Sequence, residues 1–236
     1  MQIKIDGKSI YYEVIGKGTP VLFLHGWGGT SQSLKGLAEL VAKDHQSILL
    51  DLPGFGKSEN PDPSWGIEEY ALLIEKFIKK LGLKSAILIG HSFGGTLSLY
   101  LASKHPKFVK KLILCAPSFK REGKRSSISS YGKFLPSVIK KPLYRMLFPK
   151  SELYKYPHLE KNFRNLITHD ISPETIMIRK PTLIIWGTKD SYVPVSHASE
   201  LNRLIPDSQL KIIEGYGHGL PLREPEIVYE SLKAFI

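Results

Sequence analysis

The chain contains a single cysteine, Cys115, among its 236 residues. One cysteine excludes an internal disulfide and removes the thiol pairs from which many zinc sites are built. Histidines do not compensate, because no two of them stand in the H-x-x-x-H spacing of a helical metal site. We therefore expect no bound metal and no cofactor.

Long apolar runs are also missing. None reaches the roughly 18 residues that a membrane-spanning helix requires. The N-terminal stretch "MQIKIDGKSIYYEVIG" alternates apolar and polar residues and lacks the apolar core of a signal peptide. These absences predict a cytoplasmic protein without a membrane span.

Acidic residues are scarce relative to basic ones. The chain has 33 Lys and Arg against 22 Asp and Glu, a formal charge of +11. Residues 118–165 alone hold twelve basic and three acidic residues. Such an excess attracts acidic partners, and a solvated basic surface is the alternative explanation. No nucleic-acid-binding module is visible, so we do not expect a nucleic-acid partner.

What the chain does contain is a series of short aliphatic runs that end at Gly or Pro. Such runs are typical of strands buried on both faces of a parallel sheet. Helical patterns such as "GIEEYALLIEKFIKKLG" lie between them. We predict an α/β fold: a doubly wound, mostly parallel sheet preceded by a hairpin around Asp6-Gly7. The runs are Pro20–Gly26, Gln46–Gly54, Ala86–Gly90, Lys111–Pro117, Thr182–Gly187 and Leu210–Gly215.

One interval between these runs is too long for a single crossover. About 64 residues separate "KLILCAP" from "TLIIWG", roughly twice what a crossover helix with its loops needs. The excess predicts an insertion. We expect residues 1–117 and 179–236 to form the core and residues 118–178 to form a mostly helical lid.

The stretch "GHSFG" matches G-x-S-x-G between a predicted strand and a predicted helix. This is the context of a nucleophile elbow, in which a sharp turn exposes the serine above the C-terminal end of the strand. A tight turn without chemistry is the alternative. The context makes Ser92 the candidate nucleophile.

A serine hydroxyl needs a base to take its proton and an acid to orient that base. Asp190 follows the end of one later strand, and His218 follows the end of the next. This is the order, acid first and histidine second, that the elbow fold uses. Because carboxyl ends of parallel strands share one edge of the sheet, we expect all three side chains there.

An acyl-transfer site also needs donors for the developing oxyanion. We assign these to the backbone N–H groups of Phe93, which follows the serine, and of Trp27 in the loop "HGWGG". Tyr192, Val193 and Leu220 flank the loops of the acid and the base. We predict that they line the substrate pocket.

The motifs "HGWGG", "DLPGFGKSE", "GHSFGG", "WGTKD" and "GHGL" resemble the α/β-hydrolase superfamily. More narrowly, they are similar to small carboxylesterases and to the pimeloyl-ACP methyl ester esterase group. The resemblance covers residues 1–117 and 179–236. It implies a catalytic Ser92, Asp190 and His218 with an oxyanion hole from Trp27 and Phe93. It also implies that residues 118–178 occupy the lid position.

The residue at the elbow narrows the reaction class. Haloalkane dehalogenases and epoxide hydrolases of this fold use aspartate there, so serine disfavours those activities and favours a carboxylic ester or thioester. We predict a carboxylesterase that acts on a small-molecule ester. The alternatives are a thioesterase, a carrier-linked methyl-ester esterase, a C–C bond hydrolase and a non-catalytic binding protein. An acidic carrier or anionic acyl group would be steered by basic lid residues. Those residues are Lys120, Arg121, Lys124, Arg125, Lys140, Lys141 and Arg145.

Overall fold

Each of the six aliphatic runs forms a strand in a computed structural model of the chain, which describes residues 1–120 and 155–236. Two further strands precede them, as the N-terminal pattern predicts. The strands are β1 Gln2–Ile5, β2 Lys8–Gly16, β3 Pro20–Leu24, β4 Gln46–Leu50, β5 Ala86–His91, β6 Val109–Cys115, β7 Thr182–Gly187 and β8 Ser208–Ile213.

The strands form one sheet of eight in the order β1-β2-β4-β3-β5-β6-β7-β8. The six strands β3 to β8 pair with one another in parallel. The two remaining pairs, β1 with β2 and β2 with β4, are antiparallel. The predicted α/β fold with a mostly parallel sheet is therefore confirmed. Strand order changes direction around β3 and β5, the position at which open sheets of this class bind ligands.

The N-terminal hairpin turns where the sequence predicts it. Asp6 and Gly7 have φ angles of +49° and +83°, the left-handed pair that a two-residue turn between twisted strands requires. Ile5 pairs with Lys8 directly across this turn.

Helices cover both faces of the sheet. Alternate residues of β3 point to opposite faces, so Val21 and Leu22 pack in different apolar clusters. Val21 packs in one cluster with helices Lys35–Val41 and Pro225–Leu232, and Leu22 packs in the other with helices Ile67–Lys80 and Phe93–Lys104. The sheet is therefore buried between two layers, as its continuous aliphatic strands require. The helices described are α1 Lys35–Val41, α2 Ile67–Lys80, α3 Phe93–Lys104, α4 Glu160–Ile167, α5 Ser172–Thr175, α6 Ser196–Leu204, α7 Leu220–Arg223 and α8 Pro225–Leu232.

The proposed lid is described only in part. Helices α4 and α5 belong to it, and the division into a core of residues 1–117 and 179–236 with a lid at 118–178 stays a prediction. Lys120 is described and forms an ion pair with Glu200. The other basic residues assigned to steering, Arg121, Lys124, Arg125, Lys140, Lys141 and Arg145, lie outside the described residues. No helix in the described ranges has the length and apolarity to cross a bilayer.

Candidate active site

Ser92 lies in the turn between β5 and α3 with φ +50° and ψ −115°. A non-glycine residue rarely adopts a positive φ, and the strain persists only where neighbouring structure holds it. Here the Ser92 amide donates to the Cys115 carbonyl on β6 at 2.9 Å. The backbone therefore has the conformation that a nucleophile elbow requires.

Gly94 allows this turn to pack against the neighbouring strand. A Cβ atom on Gly94 would lie 2.0 Å from the Leu24 carbonyl oxygen at the end of β3. No side chain fits at that distance, so the first turn of α3 reaches β3 only with glycine here. The second glycine of the motif thus has a packing reason that is independent of catalysis.

Asp190 and His218 follow β7 and β8 and meet at the carboxyl edge of the sheet. The His218 Nδ1 atom lies 2.7 Å from Asp190 Oδ2. The aspartate side chain is fully buried and the histidine side chain is 16% exposed. The Lys189 amide joins the two loops by donating to the Tyr216 carbonyl at 2.8 Å. An imidazole with one nitrogen held by a buried carboxylate is oriented to act as a base through the other.

The carboxylate of Asp190 is held in its charged form. Burial alone would raise its pKa, but the hydrogen bond from His218 and the amides of Val193 and Tyr192 outweigh burial and lower the pKa below its usual value. The two amides donate to Oδ1 at 2.9 and 2.8 Å. Oδ2 therefore remains available to accept the hydrogen bond from His218 Nδ1.

Ser92 does not hydrogen bond to His218 in the described structure. The candidate base instead contacts the residue before the serine, with its ring centroid 4.8 Å from that of His91. Catalytic hydrogen bonds are often long before a substrate binds and shorten in the complex. The structure thus brings Asp190 and His218 into direct contact and places His218 against His91, the residue before Ser92.

The amides of Trp27 and Phe93 are available as donors. Neither donates to any group within residues 1–120 and 155–236. The Gly26 carbonyl belongs to the same peptide plane as the Trp27 N–H. It accepts from the Gly29 amide at 3.0 Å and lies 2.8 Å from His25 Nδ1. Fixing this carbonyl also fixes the direction of the Trp27 N–H.

Comparison with known proteins identifies the family of this fold. A family model described as the alpha/beta hydrolase fold matches residues 19–148 and 159–225. The chain belongs to the α/β-hydrolase fold family. The resemblance of the sequence motifs to the α/β-hydrolase superfamily is thereby confirmed.

Several proteins similar to this α/β-hydrolase are named as hydrolases or esterases. The AB hydrolase superfamily protein YisY of Bacillus subtilis is 30% identical over 254 residues, which cover 96% of this chain and 95% of YisY. A 2-hydroxy-6-oxononadienedioate/2-hydroxy-6-oxononatrienedioate hydrolase of Comamonas testosteroni is 28% identical over 89% of this chain and 84% of its own. The solved structure of the esterase EaEST from Exiguobacterium antarcticum has a TM-score of 0.77 and 26% identity, covering 98% and 96% of the two chains. The protein is a hydrolase of this fold.

The predicted pocket residues of this α/β-hydrolase lie in different surroundings. Tyr192 is 56% exposed, and its ring centroid lies 5.2 Å from that of His218. Val193 and Leu220 are buried among residues of the two apolar clusters. Their assignment as pocket walls stays a prediction.

An aromatic cluster next to the Trp27 loop was not predicted as part of the site. The Trp27 ring contacts Phe55, Phe93 and Phe163 at centroid distances of 5.0, 5.6 and 5.0 Å. Phe163 lies on α4, and the Tyr156 hydroxyl donates to the Gly28 carbonyl at 2.9 Å. These contacts join the described end of the proposed lid to the candidate oxyanion loop. The sequence holds the aromatic residues but no local pattern that pairs them.

Two buried histidines of this α/β-hydrolase are neutral. The Leu52 amide donates to His25 Nε2 at 3.0 Å, so the proton lies on Nδ1 and is donated to Gly26. Burial lowers the pKa of His25 to about 4. Burial, together with the nearby His218, lowers the pKa of His91 to about 3. The local sequence does not indicate that Leu52 is a partner of His25 or that His218 is a partner of His91, because these residues are remote from each other in sequence.

We expect these two histidines to make stability depend on pH. In the unfolded chain each titrates near 6.5, whereas in the folded chain each stays neutral down to about pH 4 or 3. The unfolded state therefore binds more protons as the pH falls below 6.5, and stability decreases. Between pH 7 and pH 5 the free energy of unfolding should fall by about 2 kcal/mol for each histidine. Urea denaturation at the two pH values measures this difference.

A matched pair of variants assigns the effect. His91→Phe should lose about half of the pH dependence, whereas His45→Phe, which changes a half-buried histidine before β4, should retain all of it. Equal unfolding free energies of the wild type at pH 5 and pH 7 would contradict the expectation.

Proposed function

We propose that this protein is a carboxylesterase that cleaves esters through an acyl-enzyme formed on Ser92. The observation that carries the proposal is the 2.7 Å contact between His218 Nδ1 and the buried Asp190 at the same sheet edge as the strained Ser92. Strain, burial and a charged carboxylate all require stabilisation by the rest of the fold, and they coincide here. A turn with a purely structural role does not account for the strained serine, the buried aspartate and the charge of that aspartate occurring at one place.

In the acylation step, His218 Nε2 takes the proton of the Ser92 hydroxyl while Oγ attacks the ester carbonyl carbon. The carbonyl π electrons move to the oxygen, which accepts from the amides of Trp27 and Phe93. Asp190 stabilises the imidazolium. The tetrahedral intermediate then collapses, the C–O bond to the alcohol breaks, and His218 gives its proton to the leaving oxygen.

In the deacylation step, His218 takes a proton from water, which attacks the acyl carbon of the Ser92 ester. The same two amides stabilise the second oxyanion. The carboxylic acid leaves as the bond to Oγ breaks, and His218 returns the proton to Ser92. The enzyme is regenerated with one water consumed.

The walls proposed for the site are mainly apolar and aromatic. The cluster around Trp27 lies on the side of the oxyanion loop, and Tyr192 lies beside His218. Such walls suit an uncharged acyl or alcohol group. An acidic acyl carrier or an anionic acyl group is the alternative substrate feature. It depends on basic residues of which only Lys120 is described, and that residue is already paired with Glu200.

We expect p-nitrophenyl butyrate to be hydrolysed with a burst of p-nitrophenol equal to the enzyme concentration. The burst follows if an acyl-enzyme accumulates before water attacks. A fluorophosphonate should label one serine, and mass spectrometry of the digested protein should place the label on Ser92. A panel of p-nitrophenyl esters graded by chain length then defines the acyl preference.

A folded protein that neither hydrolyses any ester in the panel nor reacts with the fluorophosphonate contradicts the proposal. That result would favour a non-catalytic binding protein. Hydrolysis of acyl thioesters in preference to matched oxygen esters would reassign the protein as a thioesterase.

A C–C bond hydrolase is the second candidate, because a relative at 28% identity is named as a nonadienedioate hydrolase. The same Ser92, His218 and Asp190 would serve both reactions. The two are separated by comparing kcat/KM for p-nitrophenyl butyrate with kcat/KM for a 2-hydroxy-6-oxo-dienoate, whose chromophore disappears on cleavage. We expect the ester to be the better substrate.

A further inference from the structure

His91 is a buried histidine to which the proposed mechanism gives no task. It is the last residue of β5 and directly precedes Ser92, and only 6% of its surface is exposed. Its Nε2 atom lies 2.9 Å from the backbone carbonyl oxygen of His218. Its ring also contacts the His218 ring, with centroids 4.8 Å apart.

The His218 carbonyl needs this partner because the following helix does not supply one. The N-cap residue of that helix is Gly219, so His218 lies one position before the cap and its carbonyl falls outside the helical hydrogen-bond ladder. The residue three positions later is Pro221, which has no N–H. The amide of Leu222 donates to Gly219 instead. No other group in residues 1–120 and 155–236 donates to this carbonyl.

The contact also fixes the proton on the His91 ring. A carbonyl oxygen only accepts, so Nε2 carries the hydrogen and Nδ1 is bare in the neutral ring. The lowered pKa of His91, caused mainly by burial, is consistent with a neutral imidazole. A charged ring here would lie against His218 at the moment when His218 becomes an imidazolium.

His91 packs against the oxyanion loop as well. A Cβ atom on Gly26 would lie 3.0 Å from His91 Nδ1 and 3.3 Å from the Ser92 Cβ. The Gly26 backbone therefore packs closely against His91 and Ser92 of the turn between β5 and α3. The His91 residue contacts the His218 loop and the oxyanion loop, and it is covalently joined to Ser92.

We propose that His91 is a positioning residue that holds the His218 loop in register with Ser92 and the oxyanion loop. The proposal rests on the proposed function, since it assigns His91 a part in serving the Ser92–His218 pair. Its donated hydrogen bond gives the His218 carbonyl a partner that the following helix does not supply. Its neutral ring supports the His218 imidazole without adding charge.

His91→Phe tests the role of the donor. Phenylalanine keeps a planar ring but has no N–H, so the His218 loop loses its anchor. Small misplacements of a catalytic group cost up to about a hundredfold, so we expect kcat for p-nitrophenyl butyrate to fall by about tenfold to a hundredfold. KM should change by less than about twofold, because binding groups are untouched. His91→Gln restores an N–H donor and should recover part of kcat. His45→Phe is the control and should leave kcat unchanged.

Proton NMR of the protein gives a readout that does not depend on turnover. The proton between His218 Nδ1 and Asp190 Oδ2 should resonate far downfield in the wild type, and His91→Phe should shift or broaden this signal. In the wild type itself, long-range ¹H–¹⁵N spectra should show His91 as the neutral Nε2–H tautomer. This last measurement needs no variant and holds even if His91→Phe does not fold.

Distinct outcomes separate the two proposals. A wild-type His91 that is charged at pH 7, or protonated on Nδ1, overturns the positioning role. So does a folded His91→Phe with kcat within twofold of the wild type, or a His91→Gln no more active than His91→Phe. If Ser92→Ala retains full ester turnover, the proposed function fails instead, and the NMR measurements still decide whether His91 holds the His218 loop.

Discussion

Replacing Ser92 by alanine is expected to lower kcat for p-nitrophenyl butyrate by about 10⁶-fold. Members of a catalytic triad act as a unit, so loss of the nucleophile removes nearly all that the triad contributes. The oxyanion amides of Trp27 and Phe93 belong to the backbone and remain, and they leave a residual rate above that in water. This residual activity is measured as steady-state turnover by repurified protein at high enzyme concentration.

Two controls accompany this variant. One is the free energy of unfolding of Ser92→Ala itself, and the other is the same substitution at a second serine. Ser92→Ala keeps a Cβ at the strained φ of +50°, so its free energy of unfolding should remain within about 1 kcal/mol of the wild type. Ser103→Ala changes another serine at the far end of α3 and should keep full activity. Turnover by Ser92→Ala within tenfold of the wild type would remove the serine from the mechanism.

Replacing Asp190 by asparagine is expected to lower kcat by about 10⁴-fold. The amides of Tyr192 and Val193 donate to Oδ1, so the asparagine will keep its oxygen there and turn its NH₂ group toward His218. An NH₂ group donates, and His218 Nδ1 must then become the acceptor. The proton moves to Nε2, which can no longer take the proton of Ser92.

The tautomer change separates this prediction from simple damage. Asp190→Asn should fold normally and should still expose Ser92, but its reaction with a fluorophosphonate should slow in parallel with kcat. Asp44→Asn, at an exposed position before β4, should match the wild type. An Asp190→Asn enzyme that keeps more than about a tenth of wild-type kcat would exclude Asp190 as the orienting acid.

Much of the fold is predictable from local patterns. Strands buried on both faces need continuous aliphatic residues, and the chain punctuates each run with Gly or Pro. Parallel pairing then puts the end of every such strand at one edge, which is why the sequence alone identifies Ser92, Asp190 and His218 as a set. The folded chain brings Asp190 and His218 of this set into contact.

Other parts of the site could not be predicted in this way. The aromatic cluster around Trp27 includes Phe163 from the proposed lid, and nothing in the local sequence of either residue indicates the other. Val193 and Leu220 flank the predicted triad loops, and the folded chain packs their side chains in the two apolar clusters. Adjacency along the chain does not show which residues a side chain contacts, and the role of these two residues as pocket walls stays a prediction.

The sequence by itself determined the α/β class, the sheet edge and the three candidate catalytic residues, because strand ends and their turn residues are local features. Only the tertiary structure decided what His25 and His91 do. His91 reaches a carbonyl 127 residues away, one that receives no donor from the helix that follows it. Whether a buried histidine is neutral, and which nitrogen carries its proton, depends on partners that only folding brings within hydrogen-bond distance.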